Sequence, residues 1–197
     1  SMHWLEPNLA YYSDADFALF TVLKRQPWPP RDGVRERVAV RKLQESGADR
    51  ASWMWDKVEH DPAYLAIVQS IWMQNFMPAA TDPAKIEAHW QTIDAQIARA
   101  VAAVHILRDR GVPVLFVRAP SSGPYLDNER RDFPRERTWD VLLERSGARG
   151  IHFEDHAELQ GLNTPEWSHL GRADAEKFTR ALTAIIERDG LWRTTSP

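Results

Sequence analysis

Glu166 and His169 stand three residues apart in "TPEWSHLGRADAEKFTRAL" (164–182). At that spacing, side chains in a helical turn or tight loop can face each other. An imidazole so placed can take a proton from a hydroxyl, while the carboxylate fixes its tautomer and stabilises the imidazolium. The pair precedes the last helical segment, in the loop region where open α/β sheets carry their sites. Taken alone, an acid-x-x-His is common on protein surfaces, so its surroundings must supply the weight.

The hydroxyl that such a base would serve is missing from its expected place. No Gly-Asp-Ser opens an early strand–turn–helix, and no Gly-x-Asn-Asp occurs further on. Ser121 and Ser122 in "RAPSSGP" (118–124) follow an apolar run directly. Pro120 and Pro124 are expected to bracket a turn there and not to open a helix, which leaves an oxyanion without a helix N-terminus. The serines then line the cleft together with Arg118 as substrate-binding residues, or form an ordinary polar loop.

Other clusters carry less. "HFEDH" (152–156) hints at a metal site, but His152 falls in a predicted strand and points differently from His156, so no metal is expected. "LDNERRDFPRER" (126–137) reads as a lid or solvated loop. Trp72, Trp90 and Trp139 fall on apolar helix faces, so burial accounts for much of the tryptophan content.

The elements that position these residues can be read from periodicity. "DPAKIEAHWQTIDAQIARAVAAVHILRDRG" (82–111) has Asp82 as cap, Pro83 at the first helical position and Gly111 as stop. Ile86, Trp90, Ile93, Ile97, Val101, Val104 and Leu107 make one apolar stripe along it. "VPVLFVRAP" (112–120) reads as a strand covered on both faces, followed by a helix around 134–147, a strand over 150–155 and a helix over 172–190. Strand, helix, strand, helix implies right-handed crossovers in a parallel sheet. Upstream, 13–26 and 60–78 read as helices, the latter capped by Asp61 with Pro62 following. "HWLEP" (3–7) has the look of a strand stub. The expectation is one α/β domain over 1–197, mostly helical through 1–80, with a βα core over 82–190 that carries Glu-x-x-His.

Composition narrows the function. A net charge of −3 over 197 residues argues against nucleic acid as the main partner. Absence of cysteine removes disulfides and thiol catalysis while leaving the compartment open. No apolar run approaches the roughly 20 residues of a membrane span, and no basic-then-apolar signal segment is visible. The opening Ser1-Met2 reads as a remnant of tag removal, so the natural chain is expected to begin upstream.

Residues 114–182 resemble the C-terminal half of SGNH/GDSL-type hydrolases, and more closely the bacterial SGNH-like proteins of envelope and polysaccharide acyl transfer. In that family a strand ends in a polar loop, a second strand leads to Asp-x-x-His, and a helix closes the domain. Here Glu166 takes the Asp position and His169 the catalytic His position. The resemblance implies a three-layer, flavodoxin-like parallel sheet flanked by helices, incomplete at the N-terminus. It also implies an ester hydrolase or O-acyltransferase working without a cofactor on a small acyl ester or acylated glycan of the cell envelope or periplasm. With no serine block present, a fragment or degenerate, inactive form is expected, its nucleophile upstream. The exposed sheet edge would be covered by the N-terminal helices or by a second copy in a homodimer. The alternative is a non-catalytic binding or assembly module that keeps the fold.

Overall fold

The computed structural model describes residues 32–33, 42–46, 52–76 and 78–191. The expected helix over 13–26 and the strand stub at 3–7 lie outside the described residues. The chain divides into two compact units, Ser1–Gln74 and Asn75–Pro197.

In the first unit, β1 (Gln44–Ser46) pairs antiparallel with β2 (Ser52–Met54), and α1 (Asp56–His60) and α2 (Pro62–Asn75) follow. Three-residue strands are too short to show a period of two, which is why a mostly helical 1–80 was expected and the ribbon was not. Asp61 caps α2 as expected: its Oδ1 accepts from the N–H groups of Ala63 (3.0 Å) and Tyr64 (3.1 Å). Met54, Val58 and Val68 form the core here, with Trp55 edge-on to Tyr64 beside them. Of the predicted apolar face, Val68 is buried, Leu65 and Trp72 are half-buried, and Phe76 lies beyond the helix end.

In the second unit, α3 (Pro83–Asp109) starts where the sequence predicts, with Asp82 accepting from Ala84 N–H at 2.9 Å. Gly111 adopts φ +75°, a conformation that ends helices and that few other residues tolerate. Ile93, Ile97 and Val104 are buried, and Trp90, Val101 and Leu107 are half-buried. Ile86 is exposed, so the stripe is used only beyond the first turns.

β3 (Leu115–Arg118) and β4 (Arg149–His152) are parallel neighbours, in register from Leu115 with Arg149 to Arg118 with His152. The mixed helix-and-strand class and the parallel pairing therefore stand. Among the described residues the two strands pair only with each other. The expected β3 was longer and covered on both faces; Val112 and Val117 are instead 43% and 40% exposed.

The crossover between the strands holds α4 (Gly123–Asp132), a 3-10 turn (Arg135–Arg137) and α5 (Trp139–Ser146). Helix α4 corrects the expectation of a turn at 120–124 and a loop beyond it. Pro124 falls in the first helical turn, where a missing N–H costs no hydrogen bond and a fixed φ favours the helix. α5 packs on α3 and covers β4 at Gly150. A Cβ on Gly150 would lie 2.7 Å from Leu143 Cδ1 and from Trp139 Cζ2. Two 3-10 turns (Phe153–Asp155, Ala157–Leu159) lead on towards the last helix, α6 (Arg172–Arg188). Ile151, Phe153, Leu159 and Ile185 form the core, with Leu115, Leu126, Phe178 and Leu182 packed on it.

Candidate functional site

The segment before α6 is fixed at several points. Asp174, in the first turn of α6, accepts from Asn163 N–H at 2.7 Å, and Gly171 N–H donates to Asn163 C=O at 3.0 Å. Trp167 N–H donates to Thr164 C=O, and Trp167 C=O accepts from Ser122 N–H, both at 2.9 Å. These bonds hold Trp167 at φ +76°, the only non-glycine residue at positive φ among the described residues. For a bulky side chain that conformation costs on the order of 1–3 kcal/mol and persists only where neighbours over-determine it. The indole lies over Gly123, where a Cβ would sit 3.1 Å from Trp167 Cδ1.

The strained residue stands between Glu166 and the pair Ser168–His169. Glu166 is fully buried, whereas the His169 side chain is 63% exposed. His169 Nδ1 lies 2.8 Å from Glu166 Oε1 and 2.8 Å from Ser168 Oγ. Ser168 donates its hydroxyl proton to the carboxylate, whose oxygens are 3.0 and 2.8 Å away. With the carboxylate as acceptor, Nδ1 carries the ring proton and Nε2 keeps the lone pair. The hydrogen bond to Glu166 raises the His169 pKa above the usual imidazole value; partial burial opposes this, and the carboxylate's charge adds to the rise. The predicted contact between Glu166 and His169 is therefore present, with a buried carboxylate and an accessible imidazole.

The predicted substrate residues gather nearby in sequence but are engaged elsewhere. Arg118 donates to Glu129 Oε2 at 2.5 Å, to Ser121 Oγ at 2.9 Å and to the carbonyl of Ala119. Ser121, buried, donates to the same Glu129 oxygen at 2.6 Å. Ser122 Oγ accepts from Thr164 Oγ1 at 2.6 Å. Ser121 and Ser122 thus sit between a strand and a helix N-terminus after all, yet Ser168 is the only hydroxyl bonded to His169 among the described residues. Tyr125 of α4 stands within electrostatic range of both groups. Burial raises its phenol pKa first, Glu129 adds to that, Arg118 opposes it, and Glu166 raises it further.

Reading the sequence missed Glu129, Thr164, Trp167 and Ser168. Ser168 and Trp167 lay in view inside the motif. Glu129 could be seen only through a helix that two prolines concealed. As for "HFEDH", Glu154 N–H donates to His152 Nδ1 at 3.3 Å and Arg135 clamps Asp155 at 2.7 and 2.8 Å. Among the described residues no three His, Asp or Glu side chains converge as metal ligands.

No protein-family model matches the chain, and neither the curated proteins nor the solved structures give a match.

Proposed function

We propose that Glu166 and His169 are the acid–base half of an SGNH-like serine ester hydrolase or O-acyltransferase acting on acylated glycans of the bacterial cell envelope. The observation that carries the reading is the 2.8 Å contact between an accessible imidazole and a fully buried carboxylate. In this reading Nε2 of His169 takes the proton of a serine hydroxyl as the oxygen attacks an acyl carbonyl. Glu166 stabilises the resulting imidazolium, and His169 returns the proton to the departing alcohol. β3 and β4 are then two strands of a larger three-layer, flavodoxin-like parallel sheet. The nucleophile lies on an upstream strand–turn–helix, and this chain alone is inactive. A homodimer that covers the sheet edge belongs to the same proposal.

One observation favours the second reading, a non-catalytic binding or assembly module. The two serines after β3 are held by Thr164 and Glu129, and neither contacts His169.

Release of nitrophenol from a short-chain acyl ester separates the readings. The chain alone should turn over little, and Ser121→Ala or Ser122→Ala should leave that background unchanged. Restoring the natural upstream segment should bring turnover that His169→Ala lowers about 10²–10⁴-fold, the usual share of general base catalysis. Robust turnover of the chain alone, lost in His169→Ala and in one of the serine variants, would place the nucleophile at that serine. An inert restored chain would hand the lead to the binding module.

A further inference from the structure

A cavity of about 330 Å³ opens at the C-terminal ends of the two parallel strands. Ile93 and Ile97 of α3, Trp139 and Leu142 of α5, and Phe153 supply its apolar walls. Arg118 and His152, the last residues of β3 and β4, also line it. Its volume falls at the small end of the range for small-molecule sites.

His152 is the informative residue. It is only 7% exposed, stacked on Phe153 with ring centroids 5.2 Å apart and edge-on to Trp139 at 5.3 Å. Its Nδ1 accepts from the backbone N–H of Glu154 at 3.3 Å, so the ring proton sits on Nε2. Among the described residues Nε2–H has no hydrogen-bond partner. A donor on the cavity wall that no protein acceptor occupies is free to bond an acceptor on an incoming molecule.

The charges around the cavity cancel in pairs. Arg118 meets Glu129 and Arg130 meets Glu154, both at 2.5 Å, and Arg135 meets Asp155 at 2.7 Å. An ion entering the cavity would be desolvated without finding an unpaired counter-charge. We propose that this cavity binds a small, uncharged, mainly apolar molecule that presents a carbonyl-type acceptor to Nε2–H of His152. Burial, followed by the neighbouring Arg135, lowers the His152 pKa and keeps the ring neutral, which suits it to donate to a neutral acceptor. Neither Glu166 nor His169 lines this cavity.

The test is an NMR titration of the chain, labelled with ¹⁵N in histidine and tryptophan, using 4-phenylbutan-2-one as the probe. Saturable shifts of His152 Nε2 and the Trp139 indole are expected. Binding of 4-phenylbutanoate and of 4-phenylbutylammonium should be at least about tenfold weaker, because neither finds a counter-charge. His152→Phe, which keeps the ring and removes the donor, should weaken ketone binding by about five- to tenfold. Ile97→Trp, which fills the cavity, should abolish it; if that variant does not fold, Leu142→Phe serves the same end. The proposal is overturned by an absence of saturable shifts up to the solubility limit of the ketone. It is equally overturned if the carboxylate binds as tightly as the ketone, or if a folded cavity-filling variant binds unchanged.

Discussion

Ser122 donates its backbone N–H to the carbonyl of Trp167 at 2.9 Å, which ties the acid–His segment to the start of α4. The same contact lays the Trp167 indole over Gly123, whose own φ is +51°. Position 123 is thus constrained twice, by backbone conformation and by space. Gly123→Ala should destabilise the protein by about 1–3 kcal/mol, the cost of a non-glycine residue held in the left-handed region. Denaturant melts of the two proteins measure this directly. Equal midpoints would show that the segment docks without needing the glycine.

Ser168 should matter through the carboxylate it serves. Its hydroxyl donates to both oxygens of buried Glu166, and hydrogen bonds to charged groups contribute about 1.5–3 kcal/mol. Ser168→Ala is expected to lose stability in that range, with Ser168→Thr restoring most of it by keeping the hydroxyl. An alanine variant as stable as the parent would mean that water replaces the serine without loss.

His169 and His152 should give stability opposite dependences on pH. The His169 pKa is raised in the folded chain, so its contribution is full below about 6.5, the unfolded value, and fades as pH rises through the folded one. The His152 pKa is lowered, so its contribution is full above about 6.5 and fades as pH falls through the folded value. The stability gap between parent and His169→Gln should therefore widen from pH 8 to pH 6. The gap between parent and His152→Phe should narrow from pH 7 to pH 5. Urea melts across this range decide both, and parallel trends for the two variants would contradict the assignment.

Gly150 makes the packing of α5 on β4 testable. A methyl group there would press on Leu143 and Trp139 at 2.7 Å. Gly150→Ala should cost about 1–3 kcal/mol, the usual penalty for overpacking. A neutral result would show that α5 moves away freely.

The second unit was legible where a long period or a strong cap announced it. Asp82, Pro83 and Gly111 marked the ends of α3, and two apolar runs flanking a helical stretch gave the parallel pair β3–β4. The spacing of Glu166 and His169 suggested that they could pair, and the resemblance of the surrounding segment gave the pair its weight. What escaped depended on short or masked signals. β1 and β2 are too brief to show alternation, and Pro120 and Pro124 looked like breakers although Pro124 only occupies the first turn of α4. Arg118 and Ser121, grouped in the sequence reading, are hydrogen-bonded to each other. Their shared partner Glu129, which occupies both, could not be inferred without that helix. The positive φ of Trp167 has no signature in composition, because tryptophan is among the residues least expected there.

The coupling between Glu166 and His169 is the centre of the account, and the titration of the His169 ring in the parent and in Glu166→Gln measures it. Glutamine keeps the shape and a hydrogen-bonding oxygen while removing the charge. The His169 pKa is expected above the ordinary imidazole value in the parent and clearly lower in Glu166→Gln. The ring ¹⁵N shifts of the neutral form should place its proton on Nδ1. Identical titrations in the two proteins, or a proton on Nε2 in the parent, would contradict the claim that this pair is an assembled acid and base.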